Sequence, residues 1–180
     1  MRIASGAIAA AAILLVLGTS VASAQKPQTR KGFWIGLGFG YGTYSCTDCG
    51  SFGSSYTGYI RLGGTVNPHL LLGGETVAWS KSSEGGATLT AGNLTFNAYY
   101  YPKPASGLFL SGGVGLSNVE VSDSGFNGSL TGPGFTLGAG YDLRVGTNIS
   151  IVPNLQWVYG HPADGFSQNF YHFTLGVTFH

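Results

Sequence analysis

From Phe33 onward, bulky apolar residues recur at every second position. In "GFWIGLGFGYGTY" (Gly32–Tyr44), Phe33, Ile35, Leu37, Phe39 and Tyr41 share one face. Trp34 and the glycines at 36, 38, 40 and 42 share the other. Strand side chains alternate between faces with a period of two, so the pattern predicts a strand and not a helix. It returns in "SYTGYIRLGGTV" (Ser55–Val66), "LLLGGETVAW" (Leu70–Trp79), "NLTFNAYYY" (Asn93–Tyr101) and "LFLSGGVGLSN" (Leu108–Asn118). "GFTLGAGYDLR" (Gly134–Arg144), "ISIVPNLQWVY" (Ile149–Tyr159) and "FYHFTLGVTF" (Phe170–Phe179) complete the set. Eight strands of about ten residues are long enough to cross a bilayer when tilted.

The connections alternate in length. Segments 67–69, 102–107 and 145–148 are short, whereas 45–54, 80–91, 119–131 and 160–169 are longer and rich in Ser, Gly, Thr and Asp. This is the layout of an antiparallel up-and-down meander with its tight turns at one rim. Closing it into a barrel leaves no free edge. Pro153 cannot donate to a ladder and predicts a local bulge in the seventh strand.

The charges decide which face meets lipid. In the sixth strand Phe135, Leu137, Ala139, Tyr141 and Leu143 oppose Thr136, Gly138, Gly140, Asp142 and Arg144. Arginine on the lipid face of a barrel costs roughly 2–4 kcal/mol at the midplane. Arg61, Glu75, Asp142 and Arg144 all fit the small-and-polar face, so that face is predicted to line the lumen. Its glycines leave room there for Trp34, Tyr59, Tyr99 and Tyr101. The third strand fits least well, because Leu71, Val77 and Trp79 share a face with Glu75. A soluble, lipocalin-like barrel is the alternative, but it would present Gly, Ser, Thr and almost no charge to water. Tyr44, Trp79, Tyr101, Trp157 and Tyr159 lie near strand ends and suit interfacial aromatic girdles, or some of them interior filling.

Composition narrows the picture further. Charged residues make up 8% of the chain, against roughly 25% in ordinary soluble domains. The 13% aromatic content excludes a disordered chain, and a net charge of +1 offers no basic field for nucleic acid. Arg2, the apolar run Ala7–Gly18 and the small residues Ala22–Ala24 read as a signal peptide over residues 1–24, with a membrane-anchoring helix as the alternative. A short basic leader, 25–31, then precedes a barrel domain, 32–180. Cys46 and Cys49 have no second pair to complete a zinc site, and in an exported chain they suit a small-loop disulfide.

Near the end, "FTLGVTFH" places Phe173, Leu175, Val177 and Phe179 in alternation. From about Gly32 to His180 the chain resembles the small eight-stranded outer-membrane barrels of the outer membrane protein A transmembrane-domain and opacity-protein kind. That resemblance implies that the four residues form the signal read by the barrel-insertion machinery. Members commonly end on the aromatic itself, whereas His180 follows Phe179 here. It also implies long loops outside and short turns in the periplasm. The charges agree: the long loops carry Asp48, Lys81, Glu84, Glu120, Asp123 and Asp164, and the leader and short turns carry Lys26, Arg30, Lys31 and Lys103.

Arg61 and Glu75 fall almost opposite each other in a hairpin turning at Asn67-Pro68. With Asp142 and Arg144 they are expected to form an interior ion network, in which paired charges avoid being buried alone; a gate or proton path is the alternative. His69, His161, His172 and His180 show no metal-ligand spacing. His161 and Asp164 share a loop, yet no G-x-S-x-G supplies a nucleophile, and no G-x-G-x-x-G opens a helix. No cofactor, metal or catalytic residue is expected. The expected protein is a bacterial outer-membrane barrel, monomeric and surrounded by outer-membrane lipid. Its expected role is structural or interactive, through loops that meet an extracellular ligand or host surface. A narrow solute pore and a lipid-modifying enzyme are the alternatives.

Overall fold

A computed structural model describes residues 30–47, 50–83, 85–123 and 126–180, without the side chains of 50–52 and 126. The signal segment 1–24, leader residues 25–29 with Lys26, and Asp48, Cys49 and Glu84 lie outside the described residues. The strands are β1 (Phe33–Cys46), β2 (Gly50–Asn67), β3 (Leu70–Ser82), β4 (Thr88–Tyr100), β5 (Leu108–Asp123), β6 (Phe126–Tyr141), β7 (Leu143–Arg144), β8 (Ile149–Ala163) and β9 (Phe166–Phe179). Neighbours pair antiparallel around the sheet, β9 returns to β1, and β6 pairs with β8. Gly140 faces Asn154 and Leu143 faces Ile151 in one continuous register. Thus β6 and β7 are two parts of one strand, and the fold is a closed eight-stranded antiparallel barrel.

The interruption lies where Tyr141 and Asp142 pass Pro153 and Val152. Pro153 itself keeps register with Leu175 on β9, so the bulge expected in β8 is not there. A proline lacks one ladder donor, and the lapse falls on the neighbouring strand. Asp142 leaves the ladder and its N–H bonds the Gly107 carbonyl at 2.8 Å. This turns the Asp142 side chain into the mouth of the barrel.

The two faces sort as the alternation dictates. Phe39 is 63% exposed and Phe173 55% exposed on the outer wall, while Trp79 and Phe109 are fully enclosed. Arg61, Glu75, Asp142 and Arg144 are all buried on the inner face. The outer band of bulky residues runs from Phe33 to Tyr41 on β1, Tyr56 to Val66 on β2 and Leu108 to Leu116 on β5. Tyr41, Tyr56, Trp157, Tyr159 and Tyr171 gather near its upper edge, with Trp157 and Tyr171 stacked at 6.1 Å. Tyr44, Trp79 and Tyr101, also considered for the girdles, point inward instead. Each sits on the parity of the lumen row, so period two overrides nearness to a strand end.

The long connections shrink to short tips because the strands run on past the apolar band. Segments 45–54, 80–91, 119–131 and 160–169 are largely strand. Above the band the exposed wall is built of hydroxyls and amides. Ser80 pairs with Thr90 at 3.2 Å, Ser82 with Thr88 at 3.0 Å, and Asn118 donates to Thr131 Oγ1 at 3.0 Å. Such cross-strand pairs hold a hairpin together where no lipid covers it. The β8–β9 hairpin closes through Asp164-Gly165, with Gly165 at φ +73°, the left-handed geometry that favours Asp-Gly turns.

Candidate functional site

The lumen is crossed by two aromatic layers with a polar layer between them. The layer nearer the hairpin rim packs Tyr44, Tyr59, Val77, Trp79, Ala91, Val119, Val158 and Phe170. Tyr44 stacks on Trp79 at 4.9 Å, and the indole N–H of Trp79 bonds the Gly42 carbonyl at 3.0 Å. The Tyr44 hydroxyl donates to Gln168 Oε1 at 3.0 Å. The layer nearer the short turns packs Trp34, Leu71, Tyr99, Tyr101, Phe109 and Val152. Trp34 meets Tyr99 edge-on at 5.1 Å, and Tyr101 meets Phe109 at 5.4 Å. Leu71, Val77 and Trp79, the residues that fitted least well on the Glu75 face, belong to these layers.

Glu75 sits between the layers. The Tyr99 hydroxyl donates to Oε2 at 2.8 Å and Gln156 Nε2 donates to Oε1. His172 Nε2 then donates to Gln156 Oε1 at 3.0 Å, the tautomer being the one that satisfies this chain. Thr136 donates to Asn97 Oδ1 at 2.8 Å, and Asn97 donates to Thr95 at 2.6 Å. A buried polar network is stable only when its members are satisfied, and this one largely is.

The mouth at the short-turn rim is closed by Arg30. Its Nε lies 3.2 Å from Asp142 Oδ2, Nη1 donates to the Pro104 carbonyl at 3.0 Å and Nη2 to the Ser106 carbonyl at 3.2 Å. Its guanidinium lies 3.6 Å from the centre of the Tyr101 ring, and the Tyr101 hydroxyl also donates to Asp142 Oδ2 at 2.8 Å. Burial pushes the His180 imidazole down to about 4 despite Asp142 at 3.7 Å. It is therefore uncharged at neutral pH, and that contact is not an ion pair there.

The single ion network expected of Arg61, Glu75, Asp142 and Arg144 is divided in two. Arg61 and Glu75 face each other across β2 and β3, but no ion pair joins them. Arg61 instead lies among the Tyr59, Tyr99 and Phe109 rings at 4.7, 5.1 and 5.4 Å. Asp142 takes Arg30 as its partner, and Arg144 Nη1 donates to the Thr147 carbonyl at 3.1 Å. A strand's parity tells that a charge points inward but not how far its side chain then reaches. By sequence Arg30 belongs to the leader, and nothing in the local pattern marks it as an inward plug. Gln156 and His172 were legible as inward polar positions, since they alternate with Leu155, Trp157, Tyr171 and Phe173.

The remaining expected residues divide as follows. Cys46 is disulfide-bonded, and Cys49 lies outside the described residues. Phe173, Leu175, Val177 and Phe179 face outward and pair with Tyr41, Phe39, Leu37 and Ile35 of β1. His161 and Asp164 share no hydrogen bond or ion pair among the described residues. Lys81, Glu120, Asp123 and Asp164 stand at the hairpin rim, and Lys103 at the opposite one.

The family model for the outer membrane protein beta-barrel domain matches residues 11–179. No curated protein matches the sequence. Among solved structures, Neisserial surface protein A has a TM-score of 0.60 at 16% identity, covering 84% of this chain and 98% of that one. The attachment invasion locus protein of Yersinia pestis gives 0.58 at 13%, covering 84% and 100%. The N-terminal β-barrel domain of Pseudomonas aeruginosa OprF gives 0.51 at 19%, covering 84% and 98%. At these identities the likeness is one of fold.

Proposed function

The chain belongs to the outer membrane protein β-barrel domain family, and from that premise we propose that it works at the cell surface through its hairpin rim and not by conducting solutes. The observation that carries the reading is the lumen, filled at two levels by Tyr44–Trp79 and by Trp34, Tyr99, Tyr101 and Phe109. A wall that continues beyond the apolar band as four hairpins, three of them rich in Ser and Thr, supports it, because loops and hairpins on a rigid scaffold are where binding residues gather. In this reading the hairpin rim faces outside and the Arg30 plug faces the periplasm. The inner charges serve to pair and fill, the chain is a monomer in outer-membrane lipid, and residues 1–24 direct its export. Phe173, Leu175, Val177 and Phe179 serve as the signal for the insertion machinery.

The test is to trim each hairpin in turn back to the apolar band and score the adhesion of cells displaying the protein to host cells. Loss of adhesion on trimming at least one hairpin is the expected result. Unchanged adhesion for all four would remove surface contact from the account.

A further inference from the structure

The lipid-facing wall is not bulky everywhere. Gly58 on β2, Ala78 on β3 and Gly92 on β4 lie in one cross-strand row on the outward parity. Thr76 and Ser80 stand on either side of Ala78 in the same outward file, so roughly 13 Å of β3 presents small side chains alone. Bulky neighbours rise around this file. Phe39 and Tyr56, stacked at 5.6 Å, bound one side, with Leu37 and Ile60 below them. Leu94 stands on β4, with Thr76 between it and Ile60. The result is a groove of about 550 Å³ over β1 to β3. It is continuous with the exposed apolar band, so hydrocarbon fills it, because a void there would forfeit dispersion contacts.

The upper end of the groove is polar. Tyr41, Tyr56, Ser80 and Thr90 form one cross-strand row at the edge of the band. Ser80 pairs with Thr90 at 3.2 Å. Such a pair spends one of its two hydroxyl hydrogens on itself and leaves the other to donate outward. Higher still, the outward positions of β2 to β4 are Ser54, Ser82 and Thr88, while Lys81 takes the opposite parity. The next residue along the row from Thr90, on β5, is the exposed Glu120. Apolar below, hydroxylic above and bordered by a carboxylate, the groove has the polarity of an uncharged amphiphile.

We propose that this groove binds one glycolipid of the hairpin-side leaflet. An acyl chain lies along Thr76 and Ala78 between Ile60 and Leu94, and the sugar rests on Ser80, Thr90 and Tyr56. Sugar hydroxyls can both donate to and accept from these groups. A phosphate headgroup would meet no outward cation among these positions and would have Glu120 beside it.

The test uses the protein refolded into bilayer discs that hold equal amounts of a glucosyl-diacylglycerol and a phosphatidylglycerol with the same two chains. It is then released into a mass spectrometer with its tightest lipids still attached. One lipid per chain is expected, with the glycolipid favoured by about fivefold, the factor that one net hydrogen bond supplies. Ala78→Phe fills the groove and should abolish the adduct. Ala98→Phe, which fills a smaller outer hollow of about 380 Å³ beside Gly112, should leave it unchanged. Ser80→Ala with Thr90→Val should keep the adduct and erase the preference. Equal amounts of the two lipids on the unaltered chain, an adduct that persists in Ala78→Phe, or a lipid-free dimer would overturn the proposal. Should a variant fail to refold, the lipid ratio on the unaltered chain still decides.

Discussion

The two plugs of the lumen close it by different physics. The plug at the hairpin rim is aromatic and aliphatic: Tyr44 lies flat on Trp79, surrounded by Val77, Val119, Val158 and Phe170. The plug at the short-turn rim holds ions inside its aromatic layer, with Arg30 on the Tyr101 face and its Nε on Asp142. Packing forgives a change that keeps volume and apolarity. A buried ion pair does not forgive loss of charge, because the partner is then stranded. One barrel thus contains a tolerant closure and an exacting one.

The largest expected effect is at the apolar plug. Trp79→Ala should lower stability by about 3–5 kcal/mol, read as a shift in the urea midpoint of the refolded protein, and Trp79→Phe should restore most of it. Were Phe as damaging as Ala, packing would not be what holds that end.

At the ionic plug the prediction reverses. Asp142→Asn keeps shape but leaves Arg30 without its carboxylate and should still cost about 3 kcal/mol. A near-neutral Asp142→Asn in the same assay would erase the contrast between the two ends.

Leu175→Arg asks whether charge is tolerated on the outer wall as it is inside. Leu175 is 57% exposed there, and a cation in hydrocarbon should cost about 2 kcal/mol, visible as reduced folding into lipid vesicles. Equal folding yields would place Leu175 outside the band.

The smallest effect concerns pH at the ionic mouth. Burial holds the His180 imidazole at about 4, with Asp142 opposing and Arg144, Arg30 and Arg61 reinforcing the shift, against about 6.5 in the unfolded chain. Between those values the unfolded chain binds the extra proton, so this residue's share of stability falls as pH drops from about 6.5 to about 4. Comparing the pH dependence of the unfolding midpoint with that of His180→Gln isolates it, and parallel curves would show that His180 carries none.

Period two was enough to read the strand number, the closure and the face that meets lipid, because one misplaced arginine outweighs several ambiguous residues. It placed Tyr101 in the lumen as well as among the girdle candidates, and it left Tyr44 and Trp79 between the girdles and interior filling. Closeness to a strand end suggested girdles, and the parity of Glu75 with Trp79 hinted otherwise. Hydroxyl-rich stretches such as 80–91 looked like loops, since cross-strand pairs such as Ser82–Thr88 stabilise a wall that no hydrophobic signal marks. The ion pairing was least legible. Arginine is long enough for Arg30, three residues before β1, to reach Asp142, 112 positions away.

Planar-bilayer recording of the purified, refolded protein tests the closed lumen most directly. Silence at moderate voltage is expected of the unaltered chain. Steady steps of ionic size from it would mean that the two aromatic layers leave a path and would return the protein to the narrow pores.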